Sequence, residues 1–175
     1  MKWTDLLKEE MKLPYDSAAA MMKLVDDKKL SWKPKTGKNW FTTGQLLLHL
    51  SSSCGTGCRG FVTGEWKDDS VSPEYHPEGA SALPPAEKYL SAKSVQEALQ
   101  RLEADRKLAL EMIDRAGEDA LENRRSAPPW GGPELSLGRH ILMMIDHLKI
   151  HKAQLFYYLK LQGKPVHTGT LWSVG

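Results

Sequence analysis

The stretch Ser136–Gln162, SLGRHILMMIDHLKIHKAQLFYYLKLQ, decides the fold. Ser136 is a residue type suited to a helix N-cap, and Gly163 followed by Pro165 is a standard helix stop. Apolar residues occupy most positions between these two signals. A helix that is apolar on most of its faces is buried against several neighbours. The stretch therefore predicts a long helix packed inside a larger helical domain.

Two further helices are predicted in the N-terminal part of the chain. The first covers about residues 4–27, and Pro14 either kinks it or starts its second piece. Thr42 opens the next helix, with Gln45 three residues on in a capping-box pattern. The small residues 51–60 interrupt the apolar positions of this second helix.

Another helix is predicted to begin at Ser94, which has Glu97 three residues on, and Gly117 is placed to end it at the C′ position. Residues 64–85 are turn-rich and without a period, which indicates a long crossover between helices two and three. Such a crossover lets these two helices run parallel, whereas short loops make neighbours antiparallel. The sequence thus predicts an all-α fold, a four-helix bundle that forms a single domain over residues 1–175.

Length and composition exclude several classes of protein. A chain of 175 residues with 41% hydrophobic and 26% charged residues is an ordinary globular domain, neither collagen-like nor disordered. It has no apolar run that could span a membrane, and Asp5, Glu9 and Glu10 interrupt the place of a signal peptide. A net charge of +2 without a basic cluster gives no reason to expect nucleic acid as a partner. Two cysteines cannot form a disulfide framework, which favours a reducing cytoplasm.

Three histidines are the main candidates for chemistry. His147 and His151 are four residues apart on the fourth helix, a spacing at which one helix offers two imidazoles to one metal ion. By itself the pair also fits two ordinary histidines, one hydrogen-bonded in the core and one at the surface. His49 lies in an apolar run of the second helix and would supply a third nitrogen. We therefore predict His49, His147 and His151 as ligands of a metal ion with open coordination positions, as in catalytic sites.

Four polar residues near the pair are weaker candidates. His140 shares a face with His147 but lies roughly 10 Å along the helix, so we predict a surface imidazole, with a catalytic role above the ion as the alternative. Asp146 points about 100° away from His147 and is not expected to be a ligand. Gln154 and Tyr158 continue the histidine face, either as hydrogen-bond partners of the ligands or through packing alone.

The cysteines, two tryptophans and the charged residues of the third helix receive other interpretations. Cys54 and Cys58 have no second cysteine pair and are predicted to be small buried thiols; Cys54 lies about 140° around the helix from His49. Trp40 and Trp130 are expected to border the pocket of the site. The charged residues are predicted to form a solvated face with ion pairs four residues apart. They are Glu97, Arg101, Glu103, Asp105, Arg106, Lys107, Glu111, Asp114 and Arg115.

Two stretches resemble the DinB / YfiT-like superfamily of bacterial metalloenzymes: WFTTGQLLLH (Trp40–His49) and DHLKIHKAQLFYYLKLQGKPV (Asp146–Val166). The second is similar to the closing motif of that family, which has His, three residues, His, then Gln, an aromatic-rich turn and Gly-x-Pro. The resemblance implies an up-down-down-up four-helix bundle with the long crossover between helices 2 and 3. It also implies a divalent Zn, Ni, Fe or Mn ion on His49, His147 and His151.

The same resemblance implies a function. Characterised relatives are S-transferases or isomerases that use a low-molecular-weight thiol such as mycothiol, bacillithiol or glutathione, and others are amidase-like hydrolases. We therefore expect a metal-dependent thiol transferase or hydrolase that acts on a small-molecule substrate in the bacterial cytoplasm, with a homodimer as its common state. Two alternatives stay open. One is a non-catalytic metal-binding or stress-related bundle that acts through its dimer surface, and the other is a helical scaffold in which His49 lies far from the pair.

Overall fold

The computed structural model describes residues 2–67, 70–72 and 84–172. Over these residues the fold is all-α, as predicted, and its strands β1 (Arg125–Ser126) and β2 (Leu135–Ser136) pair as one short antiparallel ladder. Most of the predicted crossover lies outside the described residues. No helix within the described ranges is long and apolar enough to cross a membrane. The helices are α1 (Trp3–Met22), α2 (Thr43–Leu50), α3 (Gly55–Thr63), α4 (Val95–Asn123), α5 (Leu137–Leu161) and α6 (Thr168–Trp172).

Helix α1 continues through its proline. It is one element of 20 residues with Pro14 inside, so the predicted restart at this residue is wrong. The hydroxyl of Ser17 donates to the carbonyl oxygen of Leu13 at 2.7 Å. Pro14 and Tyr15 are both buried on the face that packs on α4 and α5. Packing of this apolar face keeps the helix intact in spite of the missing backbone donor.

The predicted second helix is in fact two helices. Helix α2 has the predicted capping box of Thr42 and Gln45, but it ends at Leu50, and α3 begins only at Gly55. In the break, the hydroxyl of Ser51 donates to the carbonyl oxygen of Leu48 at 2.7 Å. Serine side chains that bond to nearby backbone carbonyls compete with helical hydrogen bonds, which explains why the serine run ends the helix.

Helix α4 changes direction at the glycine predicted to end it. Ser94 caps its start by accepting from the backbone N–H of Glu97 at 3.0 Å. At Gly117 the backbone has φ +69° and ψ 166°, and a further helical segment then runs on to Asn123. In this segment the carboxylate of Glu118 accepts from the backbone N–H and the hydroxyl of Thr4, both at 3.1 Å. The turn at Gly117 thus brings an acidic cap to the exposed amides at the start of α1.

Helix α5 contacts every other long helix and has the predicted bounds. Ser136 precedes it in an extended conformation, although its side chain makes no capping hydrogen bond. Gly163 has φ +77° directly after the last turn, as expected for a glycine that ends a helix. Behind α5, the ammonium of Lys152 donates to the carbonyl oxygen of Leu171 at 2.7 Å, which fixes the short α6.

Candidate metal centre

Helices α2 and α5 bring three histidines together. Nε2 of His151 lies 3.0 Å from Nε2 of His49 and 2.7 Å from Nε2 of His147. In the described part of the chain, these residues form the one group of His, Cys, Asp and Glu side chains that could hold a metal ion, with ligand atoms within 4.8 Å of one another. The hypothesis of a scaffold with His49 far from the pair is therefore wrong. We call this group the three-histidine cluster.

Hydrogen bonds at Nδ1, the ring nitrogen that faces away from the other histidines, set the protonation of His147 and His151. Nδ1 of His147 lies 3.0 Å from the carbonyl oxygen of Ser53, and Nδ1 of His151 lies 2.7 Å from Oε1 of Gln154. Because both oxygens are acceptors, each Nδ1 carries the proton and donates it. In a neutral imidazole the lone pair is then on Nε2. Two nitrogen lone pairs therefore converge with their atoms 2.7 Å apart, an arrangement that favours a cation bound to both nitrogens.

The crossover and the segments that flank it and α2 supply the surroundings of the remaining histidine. Nδ1 of His49 lies 3.4 Å from the hydroxyl oxygen of Ser70, which is buried. The ring of Tyr89 meets the imidazole edge-on at a centroid distance of 5.2 Å, and the ring of Phe41 lies 5.6 Å away on another side. Neither Ser70 nor Tyr89 was predicted, because the turn-rich segment and the residues just after it give no sign of where their side chains will lie.

Burial keeps His49 and His151 neutral. His49 and His151 are only 8% and 9% exposed. Desolvation, and then the neighbouring histidines, lower the pKa of His49 to about 2 and that of His151 to about 4. At neutral pH a proton therefore does not supply the positive charge that the converging lone pairs favour. Three neutral imidazole nitrogens are a donor set that suits zinc, iron and nickel, so these residues fit a metal ion.

Asp146 and Gln154, which lie beside the ligands on α5, take the positions that their spacing predicts. The carboxylate of Asp146 points to solvent and pairs with Lys149 at 3.2 Å, as expected for a residue that is not a ligand. Gln154 is a hydrogen-bond partner of a ligand, whereas the hydroxyl of Tyr158 donates instead to the carbonyl oxygen of Phe41 at 2.8 Å. Trp40 lies edge-on to Tyr158 at 6.2 Å.

His140 is not a surface residue, and that prediction is wrong. Its side chain is fully buried, and its Nε2 donates to the carbonyl oxygen of Ser126 at 2.8 Å. The imidazole stacks on Phe61 at 4.2 Å, and Trp130 packs on the same phenyl ring at 5.7 Å. The segment around β1 and β2 covers this end of α5, which single-helix geometry does not reveal. A catalytic role for His140 stays a prediction, and the structure does not place its ring in the three-histidine cluster.

A cavity lies beside this stacked pair. Its volume is about 390 Å³, and its walls come from the end of α3 and from the segment after α4, within residues 60–66 and 124–129. Trp66 lines it and packs edge-on against Trp130 at 5.5 Å. Trp130 therefore belongs to the surroundings of this cavity.

The charged face of α4 is solvated except at one position. Arg101 pairs with Glu97 at 3.2 Å, and Lys107 pairs with Glu103 at 3.7 Å, as the spacing predicts. Asp105 is the exception, because only 5% of it is exposed. The prediction that this carboxylate lies on a solvated face is wrong, because α3 packs directly on α4 at this point.

Asp105 lies in a second buried polar group with Tyr15, Cys54 and Cys58, which we call the Asp105 cluster. Both thiols are free and fully buried, as predicted. The hydroxyl of Tyr15 donates to Oδ2 of Asp105 at 2.6 Å. The neighbouring thiol of Cys54, together with burial, raises the pKa of the Cys58 thiol. Burial raises the pKa of Asp105 to about 6, although hydrogen bonds from backbone amides and Tyr15 oppose this shift.

The Asp105 carboxylate also holds the start of α3. The backbone N–H of Thr56 donates to its Oδ1 at 3.2 Å, which satisfies one of the free amides of the first turn. A Cβ atom on Gly55 would lie 2.2 Å from the carbonyl oxygen of Asp105, so this approach requires glycine. Ser53, whose carbonyl accepts from His147, lies just before this turn. The Asp105 cluster therefore supports the backbone on which one side of the three-histidine cluster depends.

Comparison with known proteins places the chain in a family. No curated protein matches it. Residues 14–155 match the sequence profile of the DinB superfamily, and this range includes all three histidines of the cluster. Because the match covers most of the sequence, the chain belongs to the DinB superfamily.

Proposed function

We propose that this protein binds one divalent transition metal ion through Nε2 of His49, His147 and His151, and that it is a metal-dependent thiol S-transferase or hydrolase. The observation that carries the proposal is the direction of the outer hydrogen bonds. They put protons on Nδ1 of His147 and His151, so Nε2 lone pairs converge in a cluster of which His49 and His151 are buried and neutral. Buried polar groups are normally paired with complementary groups, and a cation is the complement of these lone pairs.

The donor set narrows the choice of metal and of chemistry. Neutral imidazoles favour zinc, nickel or iron over manganese, which prefers oxygen ligands. Three protein ligands leave coordination positions for other molecules. Bound there, such an ion acts as a Lewis acid and lowers the pKa of a thiol or water, so that a nucleophilic anion is available at neutral pH.

The chain's own residues orient the site. Ser53 and Gln154 fix the rings of His147 and His151 through their Nδ1–H groups, and such outer partners raise the basicity of metal-binding imidazoles. Asp146 points away to Lys149 and does not provide a general base. Membership of the DinB superfamily favours thiol transfer over hydrolysis, with a low-molecular-weight thiol as cosubstrate. The free, buried cysteines favour a reducing cytoplasm.

One observation favours the non-catalytic alternative. An enzyme is expected to have an accessible cavity above an open coordination position. Here His49 and His151 are only 8% and 9% exposed, so little of either ring is accessible from outside. A metal-binding bundle without turnover is therefore the second candidate function.

Metal content and thiol turnover test both candidates. We expect about one ion per chain in the wild type and in the control His167→Ala, whose histidine is exposed, and none in the His147→Ala/His151→Ala variant. Loaded wild type is then incubated with glutathione, bacillithiol or mycothiol and a chloronitrobenzene electrophile, beside ester and amide substrates. Metal-dependent consumption supports the enzyme, and bound metal without turnover supports the alternative. No metal uptake by the wild type would overturn both.

The proposal includes the up-down-down-up arrangement of four helical segments, with α2 and α3 together as the second, in a single domain. The order of contacts along the chain supports it. Contacts of α1 with α4, and of α2 with α5, run in opposite residue order, so these helices are antiparallel. Contacts of α1 with α5, and of α2–α3 with the start of α4, run in the same order, so these are parallel. The pairs are Asp16 with Arg106, Lys8 with Asp114, Thr43 with Gln162, His49 with His151, Trp3 with Gly138, Glu10 with Lys149, Gly44 with Ala92, and Gly55 with Asp105.

A further inference from the structure

We infer that the cavity beside Phe61 is a binding site for a small planar aromatic carboxylate. Its volume of about 390 Å³ lies in the range of small-molecule sites. An apolar cavity of roughly 150 Å³ already holds benzene, so this one has room for a fused-ring molecule. The described residues that line it include none of the three histidines, so the inference does not rest on the metal proposal.

Aromatic side chains form one side of this cavity. Trp66 lines it and is 44% exposed, and Trp130, which packs edge-on against Trp66, is 42% exposed. Phe61 also lines the cavity, with its ring 4.9 Å from that of Trp66, and His140 stacks on it. Half-exposed indole rings gathered at a cavity leave a large apolar surface in water. A flat ring is the ligand that best covers such a surface.

The chain fixes the position of Trp66 although nearly half of this residue is exposed. Its indole lies directly on Gly60, where a Cβ atom would be 2.3 Å from the ring. The guanidinium of Arg59 holds the segment that carries the indole, because it donates to the carbonyl oxygen of Lys67 at 2.8 Å. The aromatic side of the cavity is therefore formed before a ligand arrives, which lowers the entropic cost of binding.

Arg124 supplies a positive charge at the same cavity. It is exposed, it lines the cavity, and its guanidinium donates to the carbonyl oxygens of Phe61 and Val62 in the last turn of α3, at 3.2 Å for Val62. These contacts hold the guanidinium in place and leave further N–H groups of it available. Among the described residues no carboxylate pairs with Arg124. A carboxylate is the acceptor whose shape and charge match a guanidinium.

The aromatic side and the charge together define the ligand. Its ring would lie against Trp66, and its carboxylate would accept from the free N–H groups of Arg124. An uncharged aromatic molecule gains only the first contact, and a short aliphatic acid gains only the second. A cationic ligand is disfavoured because Arg124 repels it.

The first experiment titrates the full chain with 2-naphthoate in a calorimeter. We expect a dissociation constant below about 1 mM, at least about fivefold weaker binding of the uncharged 2-naphthamide, and no binding of acetate. In a chelator the affinity for naphthoate should not change, because the cavity includes none of the three histidines. No binding by the wild type, equal affinity for the acid and the amide, or loss of binding in the chelator would overturn the inference.

Two neighbouring arginines provide a matched pair of variants. Arg124→Gln should weaken the binding of naphthoate about tenfold and change that of naphthamide by less than about twofold, a charge-specific loss that a damaged cavity would not produce. The control Arg125→Gln removes a guanidinium that donates to the carbonyl oxygen of Glu134 at 3.1 Å and does not line the cavity, so it should bind naphthoate like the wild type. If both variants bind naphthoate equally well, the inference is wrong.

Trp66→Ala tests the aromatic side of the cavity. It should weaken the binding of naphthoate and naphthamide alike, each by about tenfold, with an unchanged helical circular dichroism spectrum. The matched control is Trp172→Ala, which removes an indole that is 55% exposed on α6 and should leave both affinities unchanged. Wild-type affinity in Trp66→Ala would contradict the proposed contact with the ring.

Discussion

The three-histidine cluster and the Asp105 cluster are both buried and polar, and they flank the same break between α2 and α3. In the Asp105 cluster the carboxylate meets its complement within the chain, because the hydroxyl of Tyr15 and the backbone N–H of Thr56 both donate to it. In the three-histidine cluster Nδ1 of each ring lies near an oxygen atom, and the Nε2 atoms converge on one another. Buried groups that are paired stabilise the fold, whereas buried lone pairs that converge form a site for a cation.

The largest effect is expected from removal of the carboxylate in the Asp105 cluster. Asp105→Ala leaves the Tyr15 hydroxyl and the Thr56 amide buried without an acceptor, which should lower the free energy of unfolding by roughly 3 kcal/mol. Urea unfolding of metal-free protein measures this, beside Asp114→Ala, which removes an exposed carboxylate and should change stability by under about 1 kcal/mol. Equal effects of the two variants would show that the Asp105 cluster does not stabilise the fold.

The pH dependence of stability provides a second test of the Asp105 cluster. Because burial raises the pKa of Asp105 from 3.8 to about 6, the folded state holds its proton more tightly than the unfolded state does. Between these values the folded state binds more protons, so this group's contribution to stability falls as the pH rises. The wild type should therefore lose about 2 kcal/mol relative to Asp105→Asn between about pH 4.5 and 7.5. Unfolding of both proteins in a chelator measures the difference, and a constant offset would contradict the raised pKa.

An outer partner of the three-histidine cluster should control metal affinity more than stability. Gln154→Ala removes the acceptor of the His151 Nδ1–H bond, so we expect metal affinity to fall on the order of tenfold, about 1.4 kcal/mol. Gln154→Glu keeps an acceptor at the same position and should retain the affinity. Titration calorimetry with Zn²⁺ or Co²⁺ compares the two variants. If both bind as tightly as the wild type, the outer hydrogen bond does not tune the site.

The smallest expected effect is a gain in stability, opposite in sign to the loss expected for Asp105→Ala, and it compares the two clusters most directly. His151→Leu removes the lone pair that faces both other histidines, so the metal-free protein should gain about 1 kcal/mol of stability while losing metal binding. Functional sites often sacrifice stability in this way. Urea unfolding in a chelator gives the stability, and calorimetry gives the binding. A loss of stability comparable to that of Asp105→Ala would mean that the histidines form a structural network.

Features that depend on local chemistry could be predicted from the sequence. Thr42 with Gln45 and Ser94 with Glu97 mark helix starts because a side chain and a nearby amide suffice for a cap. Gly163 ends α5 for an equally local reason. The histidine pair four residues apart belongs to the same class, since one helix fixes its geometry.

Features that depend on a distant segment could not be predicted. Asp105 has the same charged neighbours as the solvated residues of α4, and its burial is decided by α3, about 50 residues away. His140 is buried by residues around β1 that give no helical or strand signal. Ser70 reaches His49 from a segment without a period. In each case the burial or contact depends on which distant segment packs on the residue. The sequence of the residue's own segment does not show this.

The separation of His49 and His151 along the chain, 102 residues, has a consequence for the timing of metal loading. Closing so long a loop costs conformational entropy that only the packed helices offset, so the site assembles late in folding. During synthesis, a chain whose α5 is still inside the ribosome presents only one of the three imidazoles of the cluster, and one imidazole holds a metal ion weakly. Binding of the ion therefore follows release of α5, and a metal-bound site shows that α2 and α5 have packed together.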